Sequence, residues 1–103
     1  MKTREIIKQL EERRKELNEI IDNKKIREIE LKDDKTRVEK EIQIFRDDVK
    51  KQGYNDSNVD ALINLNIALS FYCEELSVIE WELTKYTIEY NLIEHEQYER
   101  NFI

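Results

Sequence analysis

The stretch KKQGYNDSNVDAL, Lys50 to Leu62, contains the only glycine of a 103-residue chain that has no proline. Its reading decides the fold, because it is the one place where the chain has turn chemistry. Asp56, Asn58 and Asp60 alternate as the first three ligands of an EF-hand calcium loop do. The sixth position of such a loop needs glycine for its bend and holds Ala61; the twelfth needs a bidentate glutamate and holds Ile67. Both decisive positions fail, so no metal is expected. The stretch reads instead as a structural turn over residues 53–57. Gly53 takes the left-handed conformation that ends one helix, and Ser57 caps the next with Asp60 at its third position.

Apolar residues on both sides recur at steps of three and four. Before the turn the seam runs Ile7, Leu10, Arg14, Leu17, Ile21, Lys24, Glu28, Leu31, Lys35, Val38, Ile42, Phe45, Val49. After it the seam is cleaner: Leu62, Leu65, Leu69, Tyr72, Leu76, Ile79, Leu83, Tyr86, Tyr90, Ile93, Gln97. These are coiled-coil patterns. The expected fold is all-α, a single domain over residues 1–103. It is a long antiparallel two-helix hairpin, coiled-coil-like, with helix one at about 3–52 and helix two at about 58–100. The polar centre of the first seam, the off-seam Ile26 and Ile29, and a candidate Thr36/Glu39 capping box leave room for a kink or break at about 22–36. Nothing there forbids a continuous helix, which is the preferred reading. With the turn centred near Asn55, Phe45 is expected opposite Leu65, Val38 opposite Tyr72, Leu31 opposite Ile79 and Leu17 opposite Ile93. Lys24 then falls opposite Tyr86, near Glu82 and Glu89, where its stem lies on the seam and its ammonium reaches the acids.

Composition narrows the function classes. Charged residues make up 41% of the chain and hydrophobic ones 39%, a balance typical of long helices. Residues 1–52 hold 16 Lys and Arg against 14 Asp and Glu, whereas 53–103 hold two against ten. The basic residues alternate with acids and form no phosphate-tracking stripe, and the acidic half repels polyanions, so nucleic acid is not an expected partner. The start of the chain shows no apolar signal segment, and no apolar run is expected to reach the roughly 18 residues of a membrane span. The expected location is the cytoplasm, with export in a complex, without a cleaved signal peptide, left open.

Catalytic constellations do not assemble. His95 is the only histidine, and the residue three before it is Leu92, so the Glu-x-x-His of bundle di-metal sites is absent. Cys73 stands beside Glu74 and Glu75, which disfavour a thiolate, and its expected role is that of a small buried hydrophobe. Two long helices enclose no cleft to separate carboxylate pKa values. No enzyme, cofactor or small-molecule substrate is expected.

Helix two carries a second stripe, Ile67, Phe71, Glu74, Val78, Trp81, Lys85, Ile88, Leu92 and His95, opposite its first seam. A helix apolar on opposite sides must be covered on both. One way is a first helix folded back as two pieces into a three-helix bundle. The other is an interface, made by Ile67, Phe71, Val78, Trp81, Ile88 and Leu92, with a protein partner or a second copy, assembling a helical bundle.

A hairpin of about one hundred residues with Gly53 at its turn, and with Tyr90 and Glu94 spaced as Tyr-x-x-x-Glu near its end, resembles the small WxG-type hairpins of type VII secretion. It also resembles the small helical escort partners of LXG toxins. Lys51 stands where the WxG tryptophan would. The resemblance implies an α-helical partner, Tyr90 and Glu94 as a targeting motif, and an escort role. A different class fits the charge: an intracellular inhibitor or scaffold of phage or mobile-element type that binds one host protein through an acidic helical face.

Overall fold

The computed structural model describes residues 2–101. Helix α1 spans Lys2–Gln52 and helix α2 spans Asp56–Asn101. They pack against each other as an all-α hairpin, with no strand among the described residues. All the seam positions of both helices are buried or half-buried. The hydrophobic pattern therefore sets the register, because burying both seams together removes the most apolar surface from water.

The chain divides into two compact units, each with part of both helices. The first combines the residues up to Arg27 with those from Ile79 onward. Leu17 is fully enclosed there, and Ile21 and Ile93 are buried with it. The expected placement of Lys24 holds: its Nζ pairs with Glu82 and lies 5.9 Å from the centre of the Tyr86 ring. Glu89 goes instead to Arg13, whose Nε donates to its Oε1 at 2.9 Å while Nη2 donates to Oε2 at 3.2 Å. Both pairs join low residue numbers to high ones, as antiparallel helices require.

The second unit, Glu28–Val78, contains the turn. Leu31, Val38, Ile42 and Leu76 are buried in it. Each such side chain contributes roughly 1.5–3 kcal/mol of transfer free energy. Lys35, Ile42 and Arg46 border one groove with Asn66 and Leu69, which places these stretches of α1 and α2 side by side.

No break interrupts α1 between residues 22 and 36, and the three-helix arrangement that a break permits is thereby excluded. Thr36 does not cap a new helix; its hydroxyl donates to the Lys32 carbonyl at 2.9 Å, the back-bond of a mid-helix threonine. The segment has no glycine or proline. It also holds i,i+3 and i,i+4 pairs, Arg37 with Asp34 at 3.2 Å and Lys32 with Glu28 at 3.7 Å, which favour the helix in water. Ile26 and Ile29 are exposed, so their departure from the seam is a surface feature rather than the sign of a second helix.

Gly53 has φ of +79° and its N–H bonds the Val49 carbonyl at 2.8 Å, closing α1 by a left-handed cap. The cap of α2 differs from expectation. The helix starts two residues earlier, and Ser57 is an exposed residue of its first turn. Asn55 is the cap: its Oδ1 accepts from the Asn58 N–H at 2.9 Å, and the Asn58 Oδ1 accepts from the Asn55 N–H at 3.0 Å. This is a capping box with asparagine in the place of glutamate. The Asn58 amide also donates to the Gly53 carbonyl at 3.0 Å, tying the end of α1 to the start of α2. Ser57 offers one such bond where Asn58 supplies two and Asn55 a third, so the earlier start wins. Asn58 is 3% exposed, and no buried side-chain polar atom among the described residues lacks a partner.

Candidate functional site

The second stripe of α2 emerges uncovered in each unit. In the turn-containing unit Ile67, Phe71 and Val78 are exposed, Phe71 at 61%; in the other, Trp81, Ile88 and Leu92 are exposed, Trp81 at 65% and Leu92 at 64%. All six residues expected to form an interface are therefore in water. Lys85 lies 5.6 Å from the Trp81 ring centre and 5.7 Å from that of Tyr86, so the one cation of the stripe rests on aromatic faces. Ser70 and Thr84, at the edge of the stripe, donate to the carbonyls of Asn66 and Glu80 at 3.1 and 2.9 Å. Their hydroxyl donors are spent inside the helix, which lowers the cost of drying this face.

The apolar surface extends further toward the turn than the sequence pattern placed it. Ile63 is exposed one turn before Ile67, and Tyr54 is exposed beside it. With Val59, Leu62, Asn66, Ile67 and Ser70 they line an open groove of about 430 Å³. Tyr54 and Val59 stand just before the cap and at the fourth helical position, where a hydrophobic staple forms. Ile63 was legible as a further i,i+4 step; Tyr54 was not, since nothing periodic marks a turn residue.

The remaining candidates separate. Tyr90 is half-buried on the seam while Glu94 is exposed, bordering an open polar cleft with Arg14 and His95. His95 pairs with Glu99 at 3.1 Å. Cys73 is exposed, not the buried hydrophobe expected, because it lies one position off the Tyr72 seam. Asp56, Asn58 and Asp60 sit in the first turns of α2, and Asn58 is committed to the cap, so a calcium loop has no ligand geometry there. Among the described residues no three His, Cys, Asp or Glu side chains gather as a metal cluster. The Arg13 guanidinium is held above its ordinary pKa by its hydrogen bonds to Glu89 and then Glu16, a further stabilisation of a charge that is permanent at any working pH.

One expectation is overturned by α2 itself. Within Asp56–Arg100 an 18-residue window is apolar enough, by length and composition, to cross a membrane, and only 6% of it is buried. A helix with two apolar faces passes this test although neither face alone is a continuous apolar run.

No family model matches the chain, and neither a curated protein nor a solved structure matches it.

Proposed function

We propose that the chain is a non-enzymatic protein–protein interaction module that docks a helical partner on the second face of α2. The observation that carries this reading is the exposure of Ile67, Phe71, Val78, Trp81, Ile88 and Leu92. Monomers seldom leave so long an apolar stripe in water, and Trp81 near its middle and Phe71 toward one end are residue types that dominate interface energy. A protein fits this face better than lipid, because Glu82 and Glu89, along one edge of the stripe, sit in ion pairs that hydrocarbon would penalise.

Within that class the role is escort of a toxin exported by type VII secretion, from the cytoplasm and without a cleaved signal. Its support is the hairpin of about one hundred residues, Gly53 at the turn, and Tyr90 with Glu94 near the end. The test is mass spectrometry of culture supernatants from the native host with and without the secretion ATPase. The chain is expected outside the cell only when the ATPase is intact, together with a toxin that co-purifies with it and is lost with Trp81→Ala. Retention inside the cell in both strains overturns the escort role in favour of an intracellular inhibitor. Co-flotation with liposomes overturns the protein-docking reading itself.

A further inference from the structure

Docking on the second face of α2 leaves open which helix occupies it; the placement of charge within the stripe answers this. From Ile67 to Leu92 the stripe reads Ile67, Phe71, Glu74, Val78, Trp81, Lys85, Ile88, Leu92, alternating steps of four and three as a heptad seam does, with one acid and one base inside it. Reversed on itself about the midpoint between Ile79 and Glu80, every member meets another. Ile67 meets Leu92, Phe71 meets Ile88, and Val78 meets Trp81. Glu74, the only acid of the run, meets Lys85, its only cation. We propose that this face is a two-fold interface between copies of the chain, with α2 packed antiparallel to α2 of the second copy in that register. This deepens the interaction-module reading and rests on it.

Charge selects the antiparallel sense. A parallel, in-register pair sets Glu74 against Glu74 and Lys85 against Lys85, two repulsive contacts at the centre of the seam. The antiparallel pair makes two Glu74–Lys85 attractions instead. A two-fold interface must be self-complementary, and the stripe from Ile67 to Leu92 meets that condition, with His95 beyond its end. Its edges are compatible. On one side Ser70, Ser77, Thr84 and Asn91 carry no charge. On the other, Glu82 and Glu89 are already neutralised by Lys24 and Arg13, Glu96 pairs with Arg100 at 2.9 Å, and Glu75 is engaged as well. The stripe takes in about seven turns of α2, enough residues for a stable helical pair.

The experiment is charge exchange in the full chain, read by sedimentation equilibrium with circular dichroism as the check on folding. Wild type is expected to be a dimer. Glu74→Lys and Lys85→Glu each convert both attractions to repulsions and are expected to weaken dimerisation by about ten- to thirty-fold. The double exchange, Glu74→Lys with Lys85→Glu, restores it, because the attractions re-form with their signs swapped. Both positions are exposed, so helicity is expected to persist. In a Cys73→Ser background, oxidised Phe71→Cys plus Ile88→Cys yields a covalent dimer while each single cysteine does not. Cross-linking by the single variants identifies a parallel pair and overturns the proposal, as does failure of the double exchange to restore association. A concentration-independent wild-type monomer also overturns it but leaves the interaction-module reading to the export and co-purification test.

Discussion

Replacing Asn58 by alanine tests the least expected part of the structure, the way α1 is handed over to α2. Asn58 is nearly fully enclosed, and its side chain makes two hydrogen bonds, accepting from the Asn55 N–H at 3.0 Å and donating to the Gly53 carbonyl at 3.0 Å. A net hydrogen bond is worth roughly 1 kcal/mol, and the groups left behind are partly enclosed, so the loss is about 2 kcal/mol. In a chain of this size that lowers the melting temperature by about 8–16 °C. The assay is thermal unfolding followed at 222 nm, at one fixed chain concentration so that any association contributes equally. Asn55→Ala removes the reciprocal bond to the Asn58 N–H and is expected to cost about 1 kcal/mol. The double variant is expected to lose less than the two together, because both residues hold the same loop. Ser57→Ala changes stability by less than about 0.5 kcal/mol, since it lies exposed in the first turn. An Asn58→Ala protein as stable as wild type, beside a destabilised Ser57→Ala protein, refutes this account of the cap.

Further outcomes discriminate core from surface. Leu76→Ala, buried on the seam, is expected to lose about 2–5 kcal/mol, whereas Trp81→Ala leaves most helicity and monomer stability intact and abolishes association. Denaturant titration and sedimentation on the same samples separate the two, and a Trp81→Ala chain as unstable as Leu76→Ala assigns that face to the protein's own core. Gly53→Ala is expected to cost about 1–2 kcal/mol from the left-handed backbone alone, because an added Cβ there meets nothing within 4 Å; an unchanged melt removes the strain argument. Adding calcium at millimolar concentration leaves the melting temperature where it was, and a clear rise revives the loop that Ala61 and Ile67 argue against.

The fold was legible because its decisive signals are one-dimensional. A repeat of three and four in both halves, interrupted once by the only glycine, leaves an antiparallel hairpin as the simplest way to bury both seams. Even the seam lysine could be placed, since Lys24 must direct its charge somewhere and Glu82 was within reach. The misreadings concern choices between nearly equal local options. Thr36 with Glu39 and Ser57 with Asp60 both match a capping box in sequence, and neither is one. In the first case nothing stops the helix, so the hydroxyl turns back to Lys32. In the second, Asn55 and Asn58 satisfy more backbone groups than Ser57 does. Capping energies of about 1 kcal/mol decide such contests, and a pattern of residue types does not rank them. Cys73 was misplaced by the opposite error, a residue-type preference applied without its position. It stands beside Tyr72, one step off the seam, where helical geometry turns it to solvent.

The two helices are unequal in a way that bears on function. Off its seam, α1 presents mostly acids and bases, with isoleucines such as Ile26, Ile29 and Ile44 exposed singly and not as a stripe. Off its seam, α2 presents isoleucine, phenylalanine, valine, tryptophan and leucine at the same spacing as its core face. Hairpin packing explains one apolar face of α2 and gives no reason for the second, since α1 lies on the first. That face also holds one acid, Glu74, and one base, Lys85, at positions that meet when a second copy of the helix lies antiparallel to it. Hydrophobic burial supplies the attraction and the charge pair supplies the direction, so the same helix that completes the hairpin is equipped to join two of them.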